Sequence, residues 1–126
     1  MKLHASVTAG LMTITGYDAG FIAVNGRRLT RSFLLMPKRL IEDWSPAGFD
    51  VLREADFESI ATLGCPVVLL GTGARQRFPA PVLMRSLIDR GIGVEVMDTH
   101  AACRTYNILM AEGREVAAAL IIECAR

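Results

Sequence analysis

The chain has 126 residues, 52% of them hydrophobic, and a formal net charge of only +1. This length fits a single domain spanning residues 1–126, which can bury about two thirds of the unfolded chain's surface without disulfides or metals. The nearly balanced charge provides no polybasic field for nucleic acid. The apolar runs are far shorter than the roughly 20 residues that cross a bilayer, and residues 1–9 lack the apolar core of a secretory signal. We therefore expect a cytoplasmic protein without a transmembrane segment.

The cysteines and histidines do not follow a known framework. The three cysteines, Cys65, Cys103 and Cys124, are widely spaced without a C-x-x-C pair, and the histidines are His4 and His100. An odd number of cysteines argues against a disulfide framework, and a zinc site needs four ligands from this small set. We expect reduced cysteines packed as small hydrophobic residues, and no metal site.

The first elements along the chain are predicted to be β-strands. Asn25 and Gly26 separate two apolar stretches in GFIAVNGRRLTRSFLLMP, and this pair is the strongest short-range hairpin signal because both turn positions need positive φ. Residues then alternate between two faces from Leu29 onward, which predicts one strand that ends at Pro37. One more short extended piece is expected around Trp44, before a turn. The N-terminal part is thus predicted to be mostly antiparallel.

A short helix and two buried strands come next. ADFESIATLG predicts a helix with Asp56 as its N-cap and Gly64 at the C′ position. The runs CPVVLLG and IGVEVMD are rich in valine and leucine, which is typical of strands buried on both faces.

The remaining segments repeat this order. A helix is predicted between the two apolar runs, beginning near Pro81 and stopping at Gly91. Thr99 is expected to cap the next helix, Gly113 to end it, and VAAALIIE to form the last strand. This order predicts a β-α-β-α-β unit with parallel strands.

The Gly-Thr-Gly loop after Leu70 matches phosphate-binding motifs only in part. The fingerprint G-x-G-x-x-G would need a third glycine where Gln76 stands, and a Walker loop starting at Gly71 fails at the same residue, with no lysine after it. The next helix also begins late, after about seven further residues of loop. We therefore expect Gly71 and Gly73 to serve a tight turn and close backbone packing.

An alternative hypothesis places a small-molecule or anion pocket at the same sheet edge. Ligands of open α/β sheets lie outside the carboxyl ends of the strands, where the 71–77 loop and the 98–107 helix start would meet. Arg75 or Arg77 could supply a counter-charge, or both could simply be solvated. The candidate pocket residues are Gly71, Thr72, Gly73, Arg75, Thr99, Arg104, Tyr106 and Asn107.

A nucleophile is conceivable at Cys103, three residues after His100, because an imidazole at that spacing can lower the pKa of a thiol. Helical periodicity instead places Cys103 with Tyr106 on the apolar arc, so we expect an inert thiol and a core tyrosine whose hydroxyl finds a partner. Asn107 and Arg104 could bond the preceding loops, and Arg104 could equally be a solvated charge. No catalytic or cofactor-binding residue is predicted.

Several motifs point to a known family. LGTG, the FP after it, RTYN, and the earlier SFLLMP and DW resemble the small domain-of-unknown-function family that includes mitochondrial respiratory complex I assembly factor 3 and its bacterial and archaeal relatives. The resemblance spans the whole chain. It implies an α/β fold: a compact three-layer β and β/α single domain, in which an N-terminal antiparallel hairpin precedes a β-α-β-α-β unit with a mixed sheet. For the mitochondrial relatives it implies a non-catalytic assembly role, and for the bacterial relatives it implies no established reaction.

Two hypotheses on function follow. The first is a non-enzymatic protein-interaction or assembly-factor-like domain assisting respiratory complex I assembly, with respiratory-complex subunits or assembly proteins as partners and membrane association only through them. The chain shows no Arg-rich transit peptide, which resembles bacterial members. The second is a binder or enzyme that uses the pocket described above. Oligomeric state stays open, because the apolar hairpin faces could cover the sheet or leave an edge for a symmetric dimer.

Overall fold

The computed structural model describes residues 10–44 and 46–123, so the expectations for residues 1–9 (including His4) and for Cys124 lie outside the described residues. The strands are β1 (Ile14–Asp18), β2 (Phe21–Val24), β3 (Arg27–Leu29), β4 (Phe33–Met36), β5 (Arg39–Ile41), β6 (Val67–Gly71), β7 (Gly93–Met97) and β8 (Val116–Leu120). The helices are α1 (Glu54–Ala61), α2 (Arg85–Asp89) and α3 (Thr99–Ala111), with short 3₁₀ helices at Phe49–Val51 and Pro81–Met84.

The hairpin predicted at Asn25 and Gly26 is confirmed. Their φ values are 50° and 85°, so both residues adopt the left-handed backbone that a type I′ turn requires. Val24 of β2 pairs with Arg27 of β3 across this turn, and β1 pairs antiparallel with the other edge of β2. The three strands form a small sheet in the order β1-β2-β3.

The single strand predicted from Leu29 to Pro37 is wrong, because this segment contributes to two sheets. β3 ends at Leu29 in the small sheet, and β4 begins at Phe33 in a second, larger sheet. Between them Ser32 is buried, and its Oγ accepts a hydrogen bond from Ile122 N at 3.0 Å. All of β4 is buried, since apolar layers cover both of its faces, and the alternation of a half-exposed strand does not apply to it.

The extended piece expected around Trp44 lies earlier in the chain. β5 ends at Ile41 and pairs with β4, whereas Trp44 is not part of a strand. Trp44 is buried, and its indole Nε1 donates to the carbonyl oxygen of Asp56 at 3.0 Å. The tryptophan therefore anchors this segment to the first turn of α1.

The large sheet has the order β5-β4-β8-β6-β7. β6 runs parallel to β7 and to β8, which confirms the parallel strands of the predicted β-α-β-α-β unit. β4 pairs antiparallel with β8, so the sheet is mixed, as the family resemblance implies. β8 is the central strand and is buried along its whole length, which accounts for its continuous run of apolar residues.

Apolar layers cover both faces of the large sheet. α1 and α2 pack on one face, where Phe57 and Leu87 are completely buried. α3 and the small sheet cover the other face, where Tyr106, Met110 and Ile22 are buried. The result is the three-layer α/β arrangement expected above. No helix within residues 10–44 and 46–123 is long and apolar enough to cross a membrane.

The helices begin near their expected positions, but other residues cap them. Arg53 is the N-cap of α1 instead of Asp56, whose carboxylate accepts from Arg53 N at 2.9 Å. Asp98 caps α3 instead of Thr99, and its carboxylate accepts from Ala101 N at 2.9 Å. In both helices an acidic side chain satisfies a free amide of the first turn, and Thr99 becomes available for contacts with the sheet.

The predicted helix ends also shift slightly. The helix expected from Pro81 begins as the 3₁₀ helix Pro81–Met84 before α2. Gly91 and Gly113 follow the last helical turns with φ of 69° and 81°, as expected for helix-ending glycines. Gly64, predicted at the C′ position, lies one residue beyond it, because Thr62 is the C-cap of α1 and Leu63 follows it.

Candidate functional site

The loop after β6 is closed by hydrogen bonds within the protein. Thr72 is completely buried, and its Oγ1 donates to the carbonyl oxygen of Arg75 at 2.7 Å and accepts from Arg77 N at 3.1 Å. Thr72 N donates to the carbonyl oxygen of the last residue of β7 at 2.9 Å, and Gly73 N donates to Thr99 Oγ1 at 2.7 Å. A phosphate-binding loop needs amides that point at the ligand. In this loop, these amides already have partners.

Gly71 and Gly73 are both required by close packing. A Cβ atom on Gly71 would lie 2.9 Å from Thr99 Cα and 3.2 Å from Ala102 Cβ, so the glycine allows β6 to approach α3. Gly73 has a φ of 100°, and a Cβ there would collide with a carboxylate oxygen of Glu123. These contacts confirm the expected role of the two glycines in shaping the backbone.

The side chain of Arg77 is held by a carboxylate that sequence reasoning missed. Its Nη2 lies 2.8 Å from Glu123 Oε2 and donates to Thr72 O at 2.8 Å, and its guanidinium lies 4.7 Å from the ring centroid of Phe49. Glu123 also accepts from Phe49 N at 3.2 Å. Partial burial raises the pKa of Glu123, but the hydrogen bonds from Arg77 and Phe49 and the arginine charge together hold that pKa below its ordinary value.

This ion pair changes the electrostatics of the proposed anion pocket. Arg77 is no longer an unpaired counter-charge, because Glu123 compensates it. Arg75 is exposed, and its side chain has no hydrogen bond or salt bridge to the residues that the structure describes. One signal in the sequence points to Glu123: it follows the last apolar strand directly, and the carboxyl ends of parallel strands share one sheet edge.

The RTYN motif holds the small sheet against α3. Asn107 Nδ2 donates to Ile14 O at 2.8 Å and its Oδ1 accepts from Ile14 N at 3.0 Å, so its amide pairs with the edge of β1 much as another strand would. Tyr106 is completely buried, and its hydroxyl donates to Met12 O at 2.7 Å. These contacts confirm the expected core tyrosine and the bonding of Asn107 to a preceding segment.

The candidate pocket residues form two groups. The first group lies at the carboxyl edge of β6 and comprises Gly71, Thr72, Gly73 and Thr99. The second group faces the small sheet and comprises Arg104, Tyr106 and Asn107. Arg104 is exposed and its Nη1 lies 3.1 Å from the Tyr17 hydroxyl, while Arg75 belongs to neither group. The described contacts therefore do not bring the set together in one cleft.

A cavity of about 230 Å³ lies beside the first group, between the β1–β2 turn and the start of α3. Gly73 and Thr99 line it, together with three carboxylates from Asp18, Asp98 and Glu123. Arg77 compensates the charge of Glu123, but the carboxylates of Asp18 and Asp98 remain and would repel an anion, so the cavity does not offer the positive charge that the anion-binding hypothesis requires. No group of three or more metal-ligating side chains occurs in the described part of the chain.

The thiol of Cys103 is as inaccessible as its helical position predicts. Its side chain is completely buried, and burial raises its pKa to about 12. His100 lies on a different side of α3, where its ring is 4.5 Å from that of Tyr17 and its Nε2 is 3.2 Å from Asp18 O. Cys103 therefore remains a protonated thiol near neutral pH and is not an activated nucleophile.

An exposed aromatic side chain follows the closed loop. Phe78 is 71% exposed, whereas the preceding Arg77 is held by its ion pair and the following Pro79 is buried. Val82, in the next turn, is 59% exposed. FP belongs to the motifs that carry the family resemblance, yet the sequence does not reveal this exposure, because aromatic residues are ordinarily buried.

Residues 14–121 match the family described as a protein of unknown function, DUF498/DUF598. The chain belongs to this family. Membership confirms the resemblance drawn from the LGTG, FP and RTYN motifs, which here form the closed loop, the exposed phenylalanine and the contacts between α3 and β1.

Relatives of this chain include both mitochondrial and bacterial proteins. Bovine NADH dehydrogenase (ubiquinone) 1 alpha subcomplex assembly factor 3 is 36% identical over 112 residues, covering 87% of this chain and 60% of the bovine protein. An uncharacterized protein of Rhodobacter capsulatus is 36% identical over 115 residues, covering 90% of this chain and 86% of that protein. A Bordetella parapertussis crystal structure is 40% identical with a TM-score of 0.84, covering 91% of this chain and 98% of that chain. The chain thus spans 60% of the length of the bovine relative.

Proposed function

We propose that this chain is a non-enzymatic protein-interaction domain that assists the assembly of respiratory complex I, the NADH:ubiquinone oxidoreductase. The observation that carries the proposal is its similarity to proteins named as an assembly factor of NADH dehydrogenase, at 36% identity to the bovine protein. Because the chain spans 60% of that protein's length, the proposal concerns the part that the two share.

The chemistry of the Cys103 thiol and of the loop after β6 supports a role without catalysis. The Cys103 thiol has a pKa of about 12, and the amides of Thr72 and Gly73 are bonded within the protein. Arg77 is paired with Glu123. These amides and the Arg77–Glu123 pair therefore stabilise the fold and are not free to act on a substrate.

Phe78 is the best-placed residue for partner contact. It is 71% exposed between an ion-paired arginine and a buried proline, so docking would order little additional backbone. Burying a phenylalanine in an apolar pocket contributes about 1.5–3 kcal/mol, and aromatic anchors often dominate the energetics of an interface. We assign residues 77–82, called the Phe78 loop below, as the docking surface for a complex I subunit or assembly protein.

The test uses the cells that naturally encode this chain. The chromosomal gene is deleted or replaced by the Phe78→Ser or the Ile108→Ser variant. Ile108 is 59% exposed on α3, so its variant controls for the loss of an exposed apolar side chain. Assembled complex I is measured on native gels and by the NADH:ubiquinone oxidoreductase activity of isolated membranes. We expect deletion and Phe78→Ser to lower both, and Ile108→Ser to lower neither.

Partner capture separates the function from the surface. Crosslinking of the tagged parent chain, followed by mass spectrometry, should recover complex I subunits or assembly proteins, and Phe78→Ser should reduce that recovery. Normal complex I in the deletion strain, with no such protein recovered, would refute the function. Impaired assembly in the deletion strain but normal assembly with Phe78→Ser would refute only the docking surface.

A further inference from the structure

A second surface lies at the end of the large sheet opposite the closed loop. The β4–β5 turn, the segment after α1 and the segment after α3 meet there around a groove of about 450 Å³. Leu11, Met36, Leu63 and Met110 contribute apolar side chains to it. We call this the basic groove, for the charged side chains that border it. It shares no lining residue with the Phe78 loop.

Three exposed cations border the basic groove. Lys38 and Arg39 come from the β4–β5 turn, and Arg114 follows α3. Within the described residues none of them takes part in a salt bridge, whereas Arg77 is paired with Glu123. Among the lining residues that the structure describes, the only carboxylate is that of Glu115. The groove therefore carries a net positive charge above an apolar floor, although the whole chain is nearly neutral at +1.

The two ends of the molecule are oppositely charged. Asp18 and Asp98 line the cavity at the other end of the sheet, where Arg77 compensates the charge of Glu123, so the positive charge of the basic groove is a local property. A second copy of this chain is a poor fit for the groove, because its acidic end is itself concave. Such a head-to-tail contact would also be heterologous and would tend to form open chains.

We infer that the basic groove binds an acidic segment of a partner protein, with leucine-like side chains on the apolar floor and carboxylates facing Lys38, Arg39 and Arg114. The complementarity is twofold, since an apolar floor selects amphipathic segments and unpaired cations select acidic ones. A positive rim also speeds encounter with an acidic partner. This binding goes beyond the proposed function, because it uses a surface separate from the Phe78 loop.

The probe is a dye-labelled synthetic peptide with glutamates and leucines on opposite helix faces, compared with a lysine-and-leucine peptide of the same length. Fluorescence anisotropy should show that the purified chain binds the acidic peptide and not the basic one. The double variant Arg39→Glu with Arg114→Glu should weaken binding by about tenfold or more, since each reversal replaces an attraction with a repulsion. Arg31→Glu, at the opposite end of β4, is the matched charge control and should leave binding unchanged.

Two further measurements keep the outcome interpretable. Circular dichroism confirms that each variant is folded, and amide chemical-shift mapping on the parent chain should locate the peptide at residues 36–39, 63–65 and 113–115. Phe78→Ser should not alter peptide binding. Equal binding of both peptides, or shifts confined to other surfaces, would overturn the inference. Binding of phosphatidylglycerol vesicles that depends on Arg39 and Arg114, without binding of the acidic peptide, would also overturn the inference. Self-association of the chain that the double variant abolishes would overturn it as well.

Discussion

Replacing Gly71 with alanine tests whether the Gly-Thr-Gly loop is glycine-rich because of packing. The new Cβ would lie 2.9 Å from Thr99 Cα, 3.0 Å from Thr99 Oγ1 and 3.2 Å from Ala102 Cβ, whereas carbon atoms in contact ordinarily lie about 3.5–4.0 Å apart. Thr99 has little freedom to move, because its Oγ1 accepts from Gly73 N and donates to Ile121 O. Overpacking an interior in this way lowers the free energy of unfolding by about 1–3 kcal/mol.

Gly93→Ala is the matched control, because Gly93 lies in the neighbouring β7 and the nearest atom to its added Cβ is Pro66 O at 3.9 Å. This variant should stay within about 0.5 kcal/mol of the parent chain. Urea denaturation followed by circular dichroism measures the free energy of unfolding. At roughly 4 °C per kcal/mol for a domain of this size, Gly71→Ala should lower the Tm by about 4–12 °C. Equal stability of the two variants would refute the packing explanation.

The remaining predictions concern the α3–β1 contacts and the carboxylate of the Arg77–Glu123 ion pair. Asn107→Ala should lower the free energy of unfolding, measured in urea, by about 1–3 kcal/mol, because it leaves the amide and carbonyl of Ile14 without their partner. The control Arg104→Ala should change that free energy by less than about 0.5 kcal/mol. Equal effects of the two variants would contradict the role of Asn107 in joining α3 to β1. Because the folded-state pKa of Glu123 is lowered, its stabilising effect is present above its ordinary pKa and is lost as pH falls through the folded value. Glu123→Gln should therefore lose less stability than the parent as the pH falls below 4.5, the ordinary pKa of this carboxyl group, and identical acid denaturation profiles would argue against the pairing with Arg77.

The structure explains why a partial phosphate-loop pattern misleads. In such loops, glycines allow amides to face a ligand. In this protein the same residue type allows β6 to approach α3, and the amides turn inward to Thr99 and to the end of β7. Glycine spacing reports that the backbone is tightly constrained, but the partner of each amide depends on residues far away in the chain.

Local patterns predicted several elements correctly, because each depends on neighbouring residues. The Asn25–Gly26 turn follows from the φ angles that these two residues tolerate. The parallel strands follow from unbroken apolar runs separated by helical segments. The inward position of Cys103 follows from helical periodicity alone.

Other features depend on long-range pairing and were missed or misplaced. The break between β3 and β4 arises because β4 pairs with β8 in a different sheet. Arg77 and Glu123 are 46 residues apart, and no local rule joins them. The predicted caps Asp56 and Thr99 lie shortly after the observed caps Arg53 and Asp98, a register difference that periodicity does not resolve.

The amino-acid sequence by itself determined the β-α-β-α-β order of the second half of the chain, the hairpin turn and the residues with a strong preference for the interior, because these depend on backbone sterics and on periodic burial. Only the tertiary structure decided which polar groups face one another. It divided the candidate pocket into a closed loop and a helix–sheet contact, exposed Phe78, and gathered Lys38, Arg39 and Arg114 around one groove. The physical reason is that a hydrogen bond or a charge pattern depends on distances across the fold, and those distances exist only after the sheets have paired.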